Sequence, residues 1–255
     1  MFSRRLFLGL VPALPLGLSA QQPTAPPPPA RFPAHDDESV REIVGVSHNN
    51  LARVKELVTA RPALARASWD WGYGDWETPI DAASHVGNRP IAEFLIANGA
   101  RPTIFTAIMM GQLAIVKALV EATPGLQRMR GPHGLTTVAH AKAGGAGAAD
   151  VLKYLETLGD ADPRYPDVAL TEAEQTAITG DYAFGAAAAD RFTIAKGPRG
   201  FTIQRGDGPQ RNNLFHHGGL VFNPAGAEAV RIRFEPGGRA LTIEDGPVVT
   251  RARRL

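Results

Sequence analysis

Residue types able to do chemistry are few and scattered along this chain. Cysteine is absent, which excludes disulfides, thiolate metal sites, a cysteine nucleophile and a lipid-modified cysteine anchor. Beyond residue 20, serine occurs only at Ser39, Ser47, Ser68 and Ser84. None stands in Gly-x-Ser-x-Gly or in Ser-x-x-Lys, the spacings that expose and activate a serine nucleophile. The seven histidines are His35, His48, His85, His133, His140, His216 and His217. None has the His-Glu-x-x-His spacing that puts two imidazoles on one helix face for zinc. His85 reads as a hydrogen-bonding residue near a helix end and His140 as a residue within a helix. His216 and His217 precede Gly218-Gly219 at a hairpin turn. Adjacent strand residues point to opposite faces, so this pair does not chelate one ion, leaving a site completed by His35 or Asp207 as the alternative. His35-Asp36-Asp37-Glu38 is an acidic helix start, favourable at the positive end of the dipole. Ala143-Gly144-Gly145-Ala146-Gly147 lacks both the preceding strand and the Lys-Ser/Thr of a phosphate cradle, and reads as an interhelix loop. The residues taken this way assign no catalytic group, no metal site and no cofactor.

One cluster stands out. All three tryptophans of the chain fall with a tyrosine in Trp69-Asp70-Trp71-Gly72-Tyr73-Gly74-Asp75-Trp76. Trp and Tyr bury large rigid surface while keeping a polar handle, which makes them frequent anchors of binding surfaces. Trp69, Trp71, Tyr73 and Trp76 are therefore the candidate partner-binding residues. The competing reading is that the segment folds its aromatics back onto the first helices.

The elements that must position these residues change character along the 255-residue chain. Lys and Arg total 27 and Asp and Glu 25. Two of the positives, Arg4 and Arg5, sit in a short apolar leader, so the rest is balanced and lacks the clustered basic face that nucleic-acid binding needs. Residues 1–20 read as an export signal, too short and too broken by Gly and Pro to span a membrane, with Leu18-Ser19-Ala20 as the cleavage site. Residues 21–35 form a Pro-rich linker. Residues 36–163 carry helical periodicity with internal repeats. Val54-Lys55-Glu56-Leu57-Val58 matches Val116-Lys117-Ala118-Leu119-Val120, and Phe94-Leu95 followed by Gly99 pairs with Tyr154-Leu155 followed by Gly159. Four units result, at about 38–68, 69–101, 102–131 and 132–163, a period that indicates stacked helix pairs. Residues 164–255 switch to period-two alternation, as in Phe192/Ile194, Phe201/Ile203, Val230/Ile232/Phe234 and Leu241/Ile243, separated by Gly- and Pro-rich turns. That pattern predicts an antiparallel barrel or half-barrel. The expected fold class is thus α+β with two domains.

Three resemblances sharpen this. Ser3-Arg4-Arg5-Leu6-Phe7-Leu8 resembles the bacterial twin-arginine export motif. Thr78-Pro79-Ile80-Asp81-Ala82-Ala83-Ser84-His85-Val86-Gly87-Asn88, followed by Ile91–Ile96 and Asn98-Gly99-Ala100, resembles the ankyrin repeat; the third and fourth units match it less completely, and the first lacks Thr-Pro. The Ile178-Thr179-Gly180-Asp181-Tyr182 entry resembles the small lipocalin-like domains appended to some β-lactamase-like hydrolases, although the hydrolase itself is missing. What these resemblances imply is a non-enzymatic, periplasmic or secreted scaffold. It would bind another protein through a concave helical face and the aromatic finger, without nucleic acid and without stable membrane insertion. The alternative is a small-ligand or glycan binder that uses the β domain.

Overall fold

The computed structural model describes residues 33–208 and 210–255. Residues 1–20, the expected export signal, and most of the expected linker lie outside the described residues. Eight helices come in four pairs joined by short turns: α1 (Asp37–Val46) with α2 (Leu51–Ala60), α3 (Pro79–His85) with α4 (Arg89–Ala97), α5 (Ile104–Met109) with α6 (Leu113–Ala122), and α7 (Thr137–Ala143) with α8 (Ala149–Thr157). Each pair falls within one of the four units read from the sequence. The first helices pack side by side in the order α1, α3, α5, α7.

Local chemistry sets the boundaries. Asp36 caps α1 by accepting from the Ser39 amide at 2.7 Å. The hydroxyls of Thr78, Thr103 and Thr136 cap α3, α5 and α7 in the same way. Asp81 links two starts, accepting from the hydroxyls of Thr78 at 2.6 Å and Thr103 at 2.9 Å. Gly87 and Gly111 end α3 and α5 in left-handed backbone, φ +77° and +73°. A Cβ at either would collide with a carbonyl of the fourth unit, Ala143 and Gly147 respectively. These glycines therefore allow the units to close on one another. The cores are aliphatic, with Ile43, Val54, Ile80, Ile91 and Leu95 fully buried in the first part and Ile108, Val116, Val151 and Leu155 in the second.

Between α2 and α3 the chain makes a small antiparallel hairpin, β1 (Trp69–Asp70) with β2 (Trp76–Glu77). It is closed by Asp70, whose Oδ1 accepts from the amides of Gly72 and Gly74 at 2.8 and 3.1 Å. This hairpin is the aromatic segment.

After α8 the chain passes through residues 158–171 into a ninth helix, α9 (Glu172–Ile178), opened by a Thr171/Glu174 capping box. Eight antiparallel strands follow: β3 (Gly180–Ala183), β4 (Arg191–Gly197), β5 (Gly200–Arg205), β6 (Arg211–His216), β7 (Val221–Pro224), β8 (Arg231–Phe234), β9 (Ala240–Asp245) and β10 (Val248–Arg254). They pair in chain order and close when β10 meets β3, with Arg253 opposite Ala183. The barrel is closed rather than half-open. Its strand at Gly180–Ala183 and the α9 helix are additions to the strands read from the sequence. Phe192, Phe201, Phe222 and Phe234 lie in its core with Ile194, Ile203 and Ile232. Tyr182 is fully buried there, its hydroxyl donating to the Ile178 carbonyl at 3.0 Å, which ties α9 to the barrel. No helix among the described residues is long and apolar enough to cross a membrane.

The three left-handed glycines Gly87, Gly111 and Gly99 separate backbone strain from crowding, because nothing lies within 4 Å of a Cβ at Gly99. Gly99→Ala is expected to cost about 1 kcal/mol, the left-handed penalty alone. Gly87→Ala and Gly111→Ala are expected to cost about 2 kcal/mol more, since a backbone carbonyl must move. Urea unfolding of the three variants checks this; equal costs would show that the close approach of units contributes nothing.

Candidate metal centre

Four separate elements bring three imidazoles and a carboxylate to one point. His48 sits in the turn between α1 and α2, Glu77 on β2, His85 at the last residue of α3, and His133 in a short turn before α7. One ligand atom from each lies within 4.8 Å of all the others. His85 Nε2 is 2.9 Å from Glu77 Oε1 and 3.1 Å from His48 Nε2. Glu77 Oε1 is 3.4 Å from His133 Nε2 and 3.7 Å from His48 Nε2. Four ligands about 2.0–2.1 Å from a tetrahedral ion stand about 3.3 Å apart, so these separations fit around a single ion.

The far side of three of the four ligands, His48, His133 and Glu77, is held. His48 Nδ1–H donates to the Gly45 carbonyl at 2.9 Å. His133 Nδ1–H donates to Asp75 Oδ2 at 2.7 Å, while the His133 amide donates to Asp75 Oδ1 at 2.8 Å. Both bonds leave the Nε2 lone pair of their ring facing the centre, the arrangement in which a carbonyl or carboxylate orients a metal-binding imidazole. Asp75 also holds His133 in left-handed backbone, φ +59°, a strained conformation for a residue with a Cβ. The Trp71 indole N–H donates to Glu77 Oε2 at 2.7 Å, which turns Oε1 inward. Glu77 is fully buried, and Oε1 receives no hydrogen bond.

The electrostatics call for positive charge at this point. Burial by itself would raise the Glu77 carboxyl, but His133 and His85 outweigh it and hold the group at about 2. Burial would lower His133, but Asp75 and Glu77 outweigh it and carry the imidazole up to about 10. Without an ion the cluster recruits a proton; with one, the ion takes its place. The donor set of three imidazoles and one carboxylate suits first-row divalent metals, whereas magnesium and calcium take oxygen ligands.

The remaining histidines behave differently. His140 is fully buried and its Nδ1–H donates to the Thr136 carbonyl at 2.8 Å. Burial lowers it to about 4. His216 is buried and donates through Nδ1 to the Val168 carbonyl at 2.7 Å. His217 is exposed, and its Nε2–H donates to Asn223 Oδ1 at 2.6 Å. The two neighbours thus face apart, as the strand argument required.

The aromatic segment divides its labour. Trp69 and Trp71 are half-buried against the first helical core. Tyr73, at the hairpin tip with φ +63°, packs against the barrel core, and burial pushes its hydroxyl up. Trp76 is 60% exposed. Three of the four candidate binding residues are therefore engaged inside the chain, and Trp71 holds Glu77 directly. Reading each histidine by its local spacing assigned no metal site; here the ligands converge through tertiary structure.

The centre forms one wall of a cleft of about 770 Å³ between the helices and the barrel. His48, His85 and His133 reach that wall, while Glu77 lies behind it. The seam beside it is closely fitted. The Arg130 guanidinium lies 3.8 Å from the centre of the Tyr165 ring and 3.8 Å from Glu228 Oε1. Gly226 of the β7–β8 turn presses on Asp75, leaving no room for a Cβ.

Comparison with protein-family models, with curated proteins and with solved structures found no match for the chain.

His140 supplies a pH test beside the centre. Its folded value lies below the ordinary 6.5, so the unfolded chain binds the proton more readily. Stability from this residue is present above pH 6.5 and falls as pH drops toward 4, by roughly 3 kcal/mol. His140→Leu removes that dependence. Urea unfolding of both proteins at pH 7 and pH 4 measures it; an identical acid loss would show that His140 titrates normally.

Proposed function

We propose that this chain is an exported metalloprotein that holds one first-row divalent ion on His48, Glu77, His85 and His133, with a fifth coordination position on the cleft side that expands the four-ligand set. The observation that carries the reading is the convergence of three imidazole Nε2 atoms on a buried carboxylate oxygen that receives no hydrogen bond. Four protein ligands complete a tetrahedron, so a water or substrate would enter as a fifth ligand, an expansion that zinc sites allow. His48 and His133 side chains are 25% and 29% exposed, on the cleft side. A metal there would act as a Lewis acid and would lower the pKa of a bound water toward about 7. Export rests on the Arg4-Arg5 leader, and the balanced charge beyond it argues against nucleic acid.

The helical half is read here as an ankyrin-type stack. Supporting this are the four helix pairs, the Thr caps and the left-handed Gly87, Gly99 and Gly111. In this reading the hairpin is the finger between the first two units, and it delivers Glu77 and Asp75 to the centre.

A second reading, a protein-binding scaffold, is favoured by Trp76, which is 60% exposed at the hairpin. It is compatible with the metal centre, because Trp76 points away from the cluster that Trp71 serves.

Metal content tests the proposal. Purified protein incubated with zinc and then dialysed is expected to retain close to one equivalent by elemental analysis. Saturation at 100 times the dissociation constant should add about 2.7 kcal/mol of stability, reversed by a chelator. His48→Ala, at a half-exposed turn, and His85→Ala should each weaken binding at least tenfold while the helical signal is kept. Retention below a tenth of an equivalent by the native chain, with no thermal shift, would make the cluster a protonated ion-pair network instead.

A further inference from the structure

The cleft opposite the metal centre has a charge pattern that the centre itself does not explain. Asp75 is committed to His133, Asp162 accepts from the Thr136 hydroxyl at 2.6 Å, and Asp167 accepts from the His216 amide at 3.4 Å. Arg130 is committed to Glu228, Tyr165 and the Gly134 carbonyl. Among the described residues, three further cations line the same cleft with no ion pair or side-chain hydrogen bond: Arg164, Arg199 and Arg211. All three are exposed.

Their placement is set by the barrel. Arg199 stands in the β4–β5 turn and Arg211 opens β6, opposite Gln204 near the end of β5. The two are therefore separated by the length of β5, on the order of 15 Å at about 3.3 Å per residue. Asn212 and Asn213 lie beside Arg211 and also line the cleft. One wall thus carries the metal ligands. The other carries spaced guanidinium groups, which recognise carboxylate and phosphate oxygens in pairs.

We propose that the cleft binds a small molecule with two oxyanion groups, one ligating the metal and the other held by a barrel arginine, Arg199 or Arg211, with Arg164 adding charge at the seam. The inference rests on the metal reading above. The barrel is then the element that selects the ligand, and the helices supply the ion. Phosphate esters and dicarboxylates share this chemistry, and the test separates them. A cleft of about 770 Å³ holds a ligand of several functional groups, larger than a lone ion.

Cobalt(II) loaded into the full exported chain reports both steps, because its visible bands depend on its ligands. The bands on loading report the centre alone. Titration with 1,3-propanediol bisphosphate, and separately with succinate at constant ionic strength, then reports the open position and the cleft. A saturable change in the bands is expected with at least one probe, and the tighter of the two identifies phosphate or carboxylate as the preferred group. The Arg199→Ala/Arg211→Ala double variant should take up cobalt as the native chain does and bind that probe at least tenfold more weakly. Normal cobalt bands that neither probe alters, or equal binding by the double variant, would overturn this inference and leave the metal centre standing. Failure to load cobalt would remove the metal reading, and this inference with it.

Discussion

A buried carboxylate governs this molecule. Glu77 is removed from water, and the cost of burying an unpaired ionised carboxylate is several kcal/mol. Its two oxygens are treated differently. Oε2 receives the Trp71 indole N–H, while Oε1 faces three imidazole nitrogens and no hydrogen-bond donor aligned to it. Positive charge at that point, whether carried by a proton or by an ion, compensates the buried acid. The position of every surrounding element follows from holding that geometry.

The hairpin is the positioning device. Its alternation places Asp75 and Glu77 on one side and exposed Trp76 on the other. Asp75 clamps His133 through backbone and ring, and so draws the turn before α7 toward a strand that precedes α3. Tyr73 packs the same hairpin against the barrel core. One short segment therefore ties the first helices, the last helix pair and the barrel together. Gly226 and Gly134 allow the barrel to approach: a Cβ at Gly226 would strike Asp75, and one at Gly134 would strike the Tyr165 hydroxyl. The cleft and the histidine cluster thus share one seam between helices and barrel.

Much of the fold was legible from residue pattern. Helical periodicity, Thr caps and glycine stops located four helix pairs, and period-two alternation with Gly-Pro turns located strands of the barrel. Barrel closure was not decidable, because β3 is a four-residue strand, Gly180–Ala183, whose only large apolar residue is Tyr182, too short to show alternation. The helix Glu172–Ile178 has the capping box Thr171-x-x-Glu174 as its signal, which a reading focused on the strand entry passes over. The candidate metal centre was hidden for a different reason. Its ligands stand at positions 48, 77, 85 and 133 on four elements, so no local spacing encodes them. The available clue was chemical: Asp75 and Glu77, two acids at same-face spacing within an aromatic segment, next to a helix that ends in His85. The same segment was legible as important, but its tryptophans serve as supports more than as an exposed surface.

The most direct measurement is X-ray absorption at the edge of the bound metal in the zinc- or cobalt-loaded protein. The account predicts a first shell of nitrogen and oxygen at about 2.0–2.1 Å, with the outer-shell pattern of three imidazole rings. A spectrum with oxygen ligands alone and no imidazole scattering would place the ion elsewhere and contradict the assignment of His48, His85 and His133 as its ligands.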